Sequence, residues 1–141
     1  MRTSKFIILL TILSMGLQSF AQNKEKKYAF AVYISNGTAT SDCVNINQAY
    51  VSPIVSSNFG DWRDEENAIP DLEMKWAKKC EAKFNIRETW CFSDNYGPAV
   101  WEKNYGKVDE ERDTMISDLQ RQGYTVSESY IFSFYYNYNP N

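Results

Sequence analysis

Histidine is absent from the 141 residues, and that absence excludes more chemistry than any residue present specifies. Ser-His-Asp and Cys-His catalysis, His-ligated zinc and the commonest general base near neutral pH all need an imidazole. Cysteine is scarce: Cys43, Cys80 and Cys91 are too few for a four-thiolate zinc site and contain no short chelating pair. The six glycines are scattered and form no phosphate-binding loop. Neither a metal nor a cofactor is therefore expected, and what remains is carboxylate chemistry or binding. Positive charge is also short, with 15 Lys and Arg against 18 Asp and Glu. That balance argues against nonspecific attachment to nucleic acid or anionic lipid, which needs a basic surface.

Long hydrophobic runs are missing too. The first residues, MRTSKFIILLTILSMGLQSFAQ, place Arg2 and Lys5 before an apolar stretch interrupted by Thr11, Ser14 and Gln18. Spanning a membrane takes roughly 20 apolar residues. The segment reads instead as a bacterial secretory signal over residues 1–21, with Ser19 and Ala21 as the small residues of a cleavage site. Its removal takes the formal net charge from −3 to −5. The mature protein is expected in the periplasm or outside the cell, with no stable membrane insertion. Residues 22–27 (QNKEKK) read as a disordered lead-in, residues 28–136 as a single domain, and residues 137–141 (NYNPN) as a frayed tail.

Within that domain, YAFAVYIS, beginning at Tyr28, carries Phe30, Val32 and Ile34 on one face and Ala29, Ala31 and Tyr33 on the other. Both faces are apolar, as in a central strand. A second strand is expected over residues 46–55, with Pro53 at an edge or a strand end. Ile69, Leu72, Trp76, Cys80 and Phe84 then recur every three or four residues and predict a helix over 69–83, with Pro70 in its first turn and Asn67 near the cap. A third strand is expected over residues 86–92 and a turn at Asn95 to Gly97. A second helix follows around Val108, Arg112, Met115, Ile116 and Leu119, with Asp109, Glu110 and Glu111 in its first turn and Gly123 as the C′ residue. The last strand, residues 124–136, places Val126, Tyr130, Phe132, Phe134 and Tyr136 on one face. The order β-β-α-β-α-β predicts an α+β domain: a four-stranded, mainly antiparallel sheet with two helices packed on one face.

The cysteines belong to the exported part, where oxidation is possible. Cys91 has no histidine to activate it, and Cys80 lies on the apolar face of the first helix. A Cys80 to Cys91 disulfide, Cys43 with either partner, and unpaired buried thiols all remain open. The acidic group Asp61, Asp64, Glu65 and Glu66 lacks the pattern of a calcium loop and reads as a solvated helix N-terminus. Asn36-Gly37-Thr38 and Asp113-Thr114-Met115 have the form of glycosylation acceptors.

Aromatic residues, 16% of the chain, are the most positive feature. Tyr96, Trp101 and Tyr105 between strand three and helix two, with Tyr135 and Tyr136 near the end, are candidates for contact with a protein partner or for stacking on sugar rings. The alternative is that they complete the core. Strand three, helix two and QRQGYTVSESY, ending at Tyr130, resemble one β-α-β half of a SPOR-type peptidoglycan-binding domain. The other half departs from that family, because a strand replaces the helix expected after strand one. The resemblance implies cell-wall glycan binding as the alternative to a protein partner. A carboxylate hydrolase using Asp61 or Asp94 is a more distant third reading, and the first expectation is a non-enzymatic binding protein.

Overall fold

The structure, a computed structural model, describes residues 24–34, 47–84, 94–96, 101–128 and 133–140. Strand β1 is Glu25–Ala29, β2 Val32–Ile34, β3 Gln48–Val51 and β4 Val55–Phe59. Helix α1, Trp62–Phe84, and β5, Asp94–Tyr96, come next. Helix α2, Tyr105–Arg121, and β6, Thr125–Glu128, complete the order. The α+β class is as expected, but the strands do not form one four-stranded antiparallel sheet. They divide into a ribbon, β1-β4, and a mixed sheet, β5-β2-β3-β6, in which β3 and β6 run parallel.

The division has a local cause. Ala29 pairs with Val55 and Val32 with Val51, so two residues on one side face three on the other. This is a β-bulge at Ser52-Pro53-Ile54, where Pro53 has no N–H to give to a ladder. Ser52, fully buried, repairs the break: its N–H donates to Ala31 O and its Oγ accepts from Ala31 N, both at 2.9 Å. Its carbonyl accepts from Arg112 Nε at 2.8 Å, which gives a buried guanidinium a backbone partner.

The two helices lie on opposite faces, not on one. Ala29, Ala31, Tyr33, Tyr50, Val55 and Phe59 pack with Ala68, Leu72, Trp76, Ala77 and Cys80 of α1. Phe30, Val32, Ile34, Ala49 and Val51 pack with Val108, Ile116 and Leu119 of α2. An alternating strand with both faces apolar needs a layer on each side, and the Tyr28 to Ile34 run is such a strand.

Helix α1 starts seven residues before the expected position. Asp61 caps it, its Oδ1 accepting from Arg63 N at 2.9 Å and Asp64 N at 3.1 Å. Pro70 consequently sits inside the helix. Helix α2 starts earlier than expected as well, capped by Asn104, so no acidic residue falls in its first turn. It is capped at its end by Gln122, and Gly123 follows with a φ of +92°, the left-handed conformation glycine adopts most readily.

Asn95 and Tyr96, read from sequence as part of a turn, instead pair with β2 together with Asp94. The expected third strand, residues 86–92, lies outside the described residues, as do residues 1–21. After β6, residues 133–140 belong to no helix or strand. Among the described residues no helix is long and apolar enough to cross a membrane.

Candidate binding surface

The aromatic residues sort by burial. Trp101 is 3% exposed and Tyr136 8%. Their rings stack at 5.6 Å, and Trp101 meets Phe59 edge-on at 4.9 Å. Both belong to the core beneath the ribbon, so neither is the surface group the sequence proposed. Among the described residues Trp101 Nε1 is buried without a hydrogen-bond partner. The backbone of Tyr96 pairs with Val32, and its side chain lies outside the described residues.

Tyr105 and Tyr135 are at the surface. Tyr105, half exposed at the start of α2, meets Tyr28 at 5.4 Å with the rings nearly perpendicular. Tyr135 is 90% exposed, and the segment that carries it explains why. Phe134 packs on Trp76 at 5.0 Å and Tyr138 on Phe59 at 6.1 Å. The Tyr136 hydroxyl lies 3.0 Å from Ala68 O and 2.9 Å from Asp71 Oδ2, either of which can accept its proton. Tyr138 N donates to Ser57 Oγ at 3.2 Å. Three alternate side chains therefore pin residues 133–140, a strap across the α1 side, inward, and the alternation leaves Tyr135 outward. The packed stretch continues through Tyr138, into the residues read as a frayed tail.

Sequence reasoning missed Trp62, 61% exposed, with the Arg63 guanidinium 5.6 Å from its ring. It is the first residue of α1, directly after the cap and ahead of Ala68, the first position of the helix in the core. Recognising Asp61 as the cap is the signal that would have found it.

Of the titratable groups here, Cys80 and Tyr33 are buried and Asp61 accepts two backbone hydrogen bonds. Cys80 carries a free thiol and is fully buried. Cys43 and Cys91, its proposed disulfide partners, lie outside the described residues. Burial, with Glu81 adding its charge, pushes the Cys80 thiol well above its ordinary value, the reverse of what a nucleophilic thiol needs. Cys80 is thus expected to resist iodoacetamide at pH 8 in the folded protein and to react at the rate of unfolding, as read by peptide mass spectrometry. Alkylation as fast as that of a free peptide thiol would contradict its placement. The Tyr33 hydroxyl donates to Glu81 at 3.0 Å, and burial followed by this hydrogen bond raises its pKa as well. Asp61 is occupied as a helix cap, and the side chain of Asp94 lies outside the described residues. Among the described residues no group of three or more His, Cys, Asp and Glu side chains could hold a metal ion.

Comparison with protein families, with curated proteins and with solved structures finds no match to this chain.

Proposed function

We propose that this chain is a small exported, non-enzymatic protein that binds a protein partner through exposed aromatic side chains, with Tyr135 at the centre of the contact. The observation that carries the reading is a 90% exposed tyrosine between two residues whose rings pack on the core. Ordering a mobile side chain on binding costs about 0.5–1.5 kcal/mol, and fixing the backbone of its residue about 1–2 kcal/mol more. At Tyr135 the strap has already met the backbone part of that cost, and tyrosine offers a large contact with few torsions to restrict. Trp62 and Tyr105 extend the aromatic surface. Export rests on the signal-like sequence of residues 1–21.

The alternative, recognition of cell-wall glycan, loses Trp101 as a stacking platform because that ring is buried. The test is photo-crosslinking in the exporting host from a benzoylphenylalanine placed at position 135, with the same group at exposed Gln120 of α2 as control. The expected result is a discrete protein adduct from position 135 alone, and an affinity of the purified partner weakened at least about tenfold by Tyr135→Ala. The same variant should melt within a degree or two of the parent. Adducts that disappear on peptidoglycan digestion would support the glycan reading instead, and equal labelling from both positions would overturn a defined surface.

A further inference from the structure

Among the described residues, the position in the sheet that β6 fills beside β3 has no strand in it beside β4. Strand β6 pairs with β3 in parallel from Gln48 to Val51. Beyond the Ser52 bulge the same extended run continues as β4, which pairs only with β1 among the described residues.

The hydrogen-bond pattern identifies which groups of β4 are open. Tyr28 donates its N–H to Glu102 O at 2.7 Å and accepts from Glu102 N at 3.0 Å. Its backbone therefore faces away from β4, and the Tyr28 and Ser56 pair is a non-hydrogen-bonded one. The pattern alternates, so Val55, Ser57 and Phe59 turn their backbone groups toward β1, while Ser56 and Asn58 turn theirs outward. Among the described residues neither of these two backbones has a partner, and the Asn58 side chain is exposed.

Natural edges are commonly blunted by lysine, proline or a covering segment. Strand β4, VSSNF, has no charge and no proline. The adjacent strap comes as close as the Ser57 side chain, yet gives no backbone hydrogen bond to the edge.

We propose that the outer edge of β4 receives an extended peptide segment of a partner protein, which adds a strand through the backbone groups of Ser56 and Asn58. The chemistry of the occupant follows from the site. Two outward N–H and C=O sets, two residues apart on a strand, match another extended backbone, and the uncharged edge favours an uncharged segment. The same strand of a second copy is a poorer occupant. A stable interface between folded chains buries about 1,200 Å² or more, far beyond what two five-residue edges in contact cover. This inference rests on the protein-partner reading above: strand addition supplies the backbone contacts, Trp62 follows β4 by three residues, and Tyr138 ties the segment that carries Tyr135 to Ser57 of β4.

The experiment is a selection of random 12-residue peptides on the mature protein, followed by affinity and amide-exchange measurements on the peptides recovered. Asn58→Ala, which keeps the backbone, should retain binding. Asn58→Pro, which removes an outward N–H without touching the β1 ladder, should weaken it at least about tenfold. In the wild-type protein the Ser56 and Asn58 amides should exchange at least tenfold more slowly with peptide bound, by the same loss of free donors, while the Ser57 amide is protected with or without it. The exchange pattern decides the matter even where Asn58→Pro does not fold. Peptides that leave the two amides unprotected but need Tyr135 would overturn strand addition and leave the aromatic surface standing. Peptides that protect the amides yet ignore Tyr135→Ala would support the edge and remove Tyr135 from the contact. Failure to select any peptide would overturn the edge as a peptide site, and oligomers abolished by Asn58→Pro would assign it to a second copy.

Discussion

Replacing Trp76 with alanine is expected to lower the stability of the domain by about 3–5 kcal/mol. Trp76 is 1% exposed and is among the largest fully buried side chains. It touches three parts of the fold: it projects from α1, its Nε1 donates to Tyr50 O at 2.9 Å on β3, and its ring meets that of Phe134 of the strap at 5.0 Å in an edge-type contact. Truncation leaves a cavity where helix, sheet and strap meet, and those three elements cannot all relax into it. A domain of this size has about 5–15 kcal/mol in total, so the variant should be marginal at body temperature. Denaturant unfolding followed by circular dichroism measures the loss. Trp101→Phe is the informative control. It also shrinks a buried indole, but Trp101 Nε1 has no acceptor among the described residues, so no hydrogen bond to any of them disappears with it. The control should therefore cost clearly less than Trp76→Ala; equal costs would mean that the role assigned to the Trp76 position is wrong.

The contrast between these two tryptophans shows what the sequence could and could not reveal. Trp76 was legible because helical periodicity put it in register with Leu72 and Cys80, and a long amphipathic pattern is a strong signal. Trp101 follows residues with no period of their own, so nothing local separated core from surface. The limits of α1 were obscured by Pro70, which usually marks a first turn. Here the cap at Asp61 and the core contacts of Ala68 and Leu72 hold the helix through it. The placement of the helices was readable and was misread. Two apolar faces on the Tyr28 to Ile34 run require two covering layers, and α1 and α2 supply one each. The break between β1 and β2 was only half readable: Pro53 marked a strand end, but the pairing that sets Ser52, Pro53 and Ile54 opposite Phe30 and Ala31 joins distant parts of the chain.

The end of the chain is the clearest case of partial legibility. Val126, Phe134 and Tyr136 share a parity and were read as one face of one strand. In the structure Val126 packs on the α2 side, while Phe134 and Tyr136 pack on the α1 side. Alternation was correctly detected, but alternation reports which residues are buried and says nothing of the layer they are buried in. Tyr135 follows from the same pattern as the residue left outside. The site was thus visible at one position, and the open edge of β4 was not, because it depends on which backbones pair.

Tyr136→Ala should be nearly as costly as Trp76→Ala, again about 3–5 kcal/mol, and its functional consequence should be wider. The ring stacks on Trp101 and its hydroxyl reaches Ala68 O and Asp71 on α1. It is thus the peg that ties the strap to helix and core at once. Tyr136→Phe keeps the ring and loses the hydroxyl, so it should cost about 1–1.5 kcal/mol. Burial first, and the hydrogen bond to Asp71 second, raise the pKa of Tyr136 above its ordinary 10.0. The folded state therefore holds the proton more tightly than the unfolded chain does, and stability from this group is complete below pH 10 and lost as pH rises beyond it. Stability measured between pH 8 and 11 should fall less steeply in Tyr136→Phe than in the parent, the remaining slope belonging to Cys80, Tyr33 and Tyr50, whose pKa values are raised by burial as well. An identical slope would show that the hydroxyl is not held as described. Releasing the strap also frees Tyr135, which then has to be ordered at the moment of binding. Tyr136→Ala should consequently weaken partner binding under conditions where the variant is still folded, whereas Tyr136→Phe should bind as the parent does. Equal binding by all three would mean that Tyr135 gains nothing from being held in place.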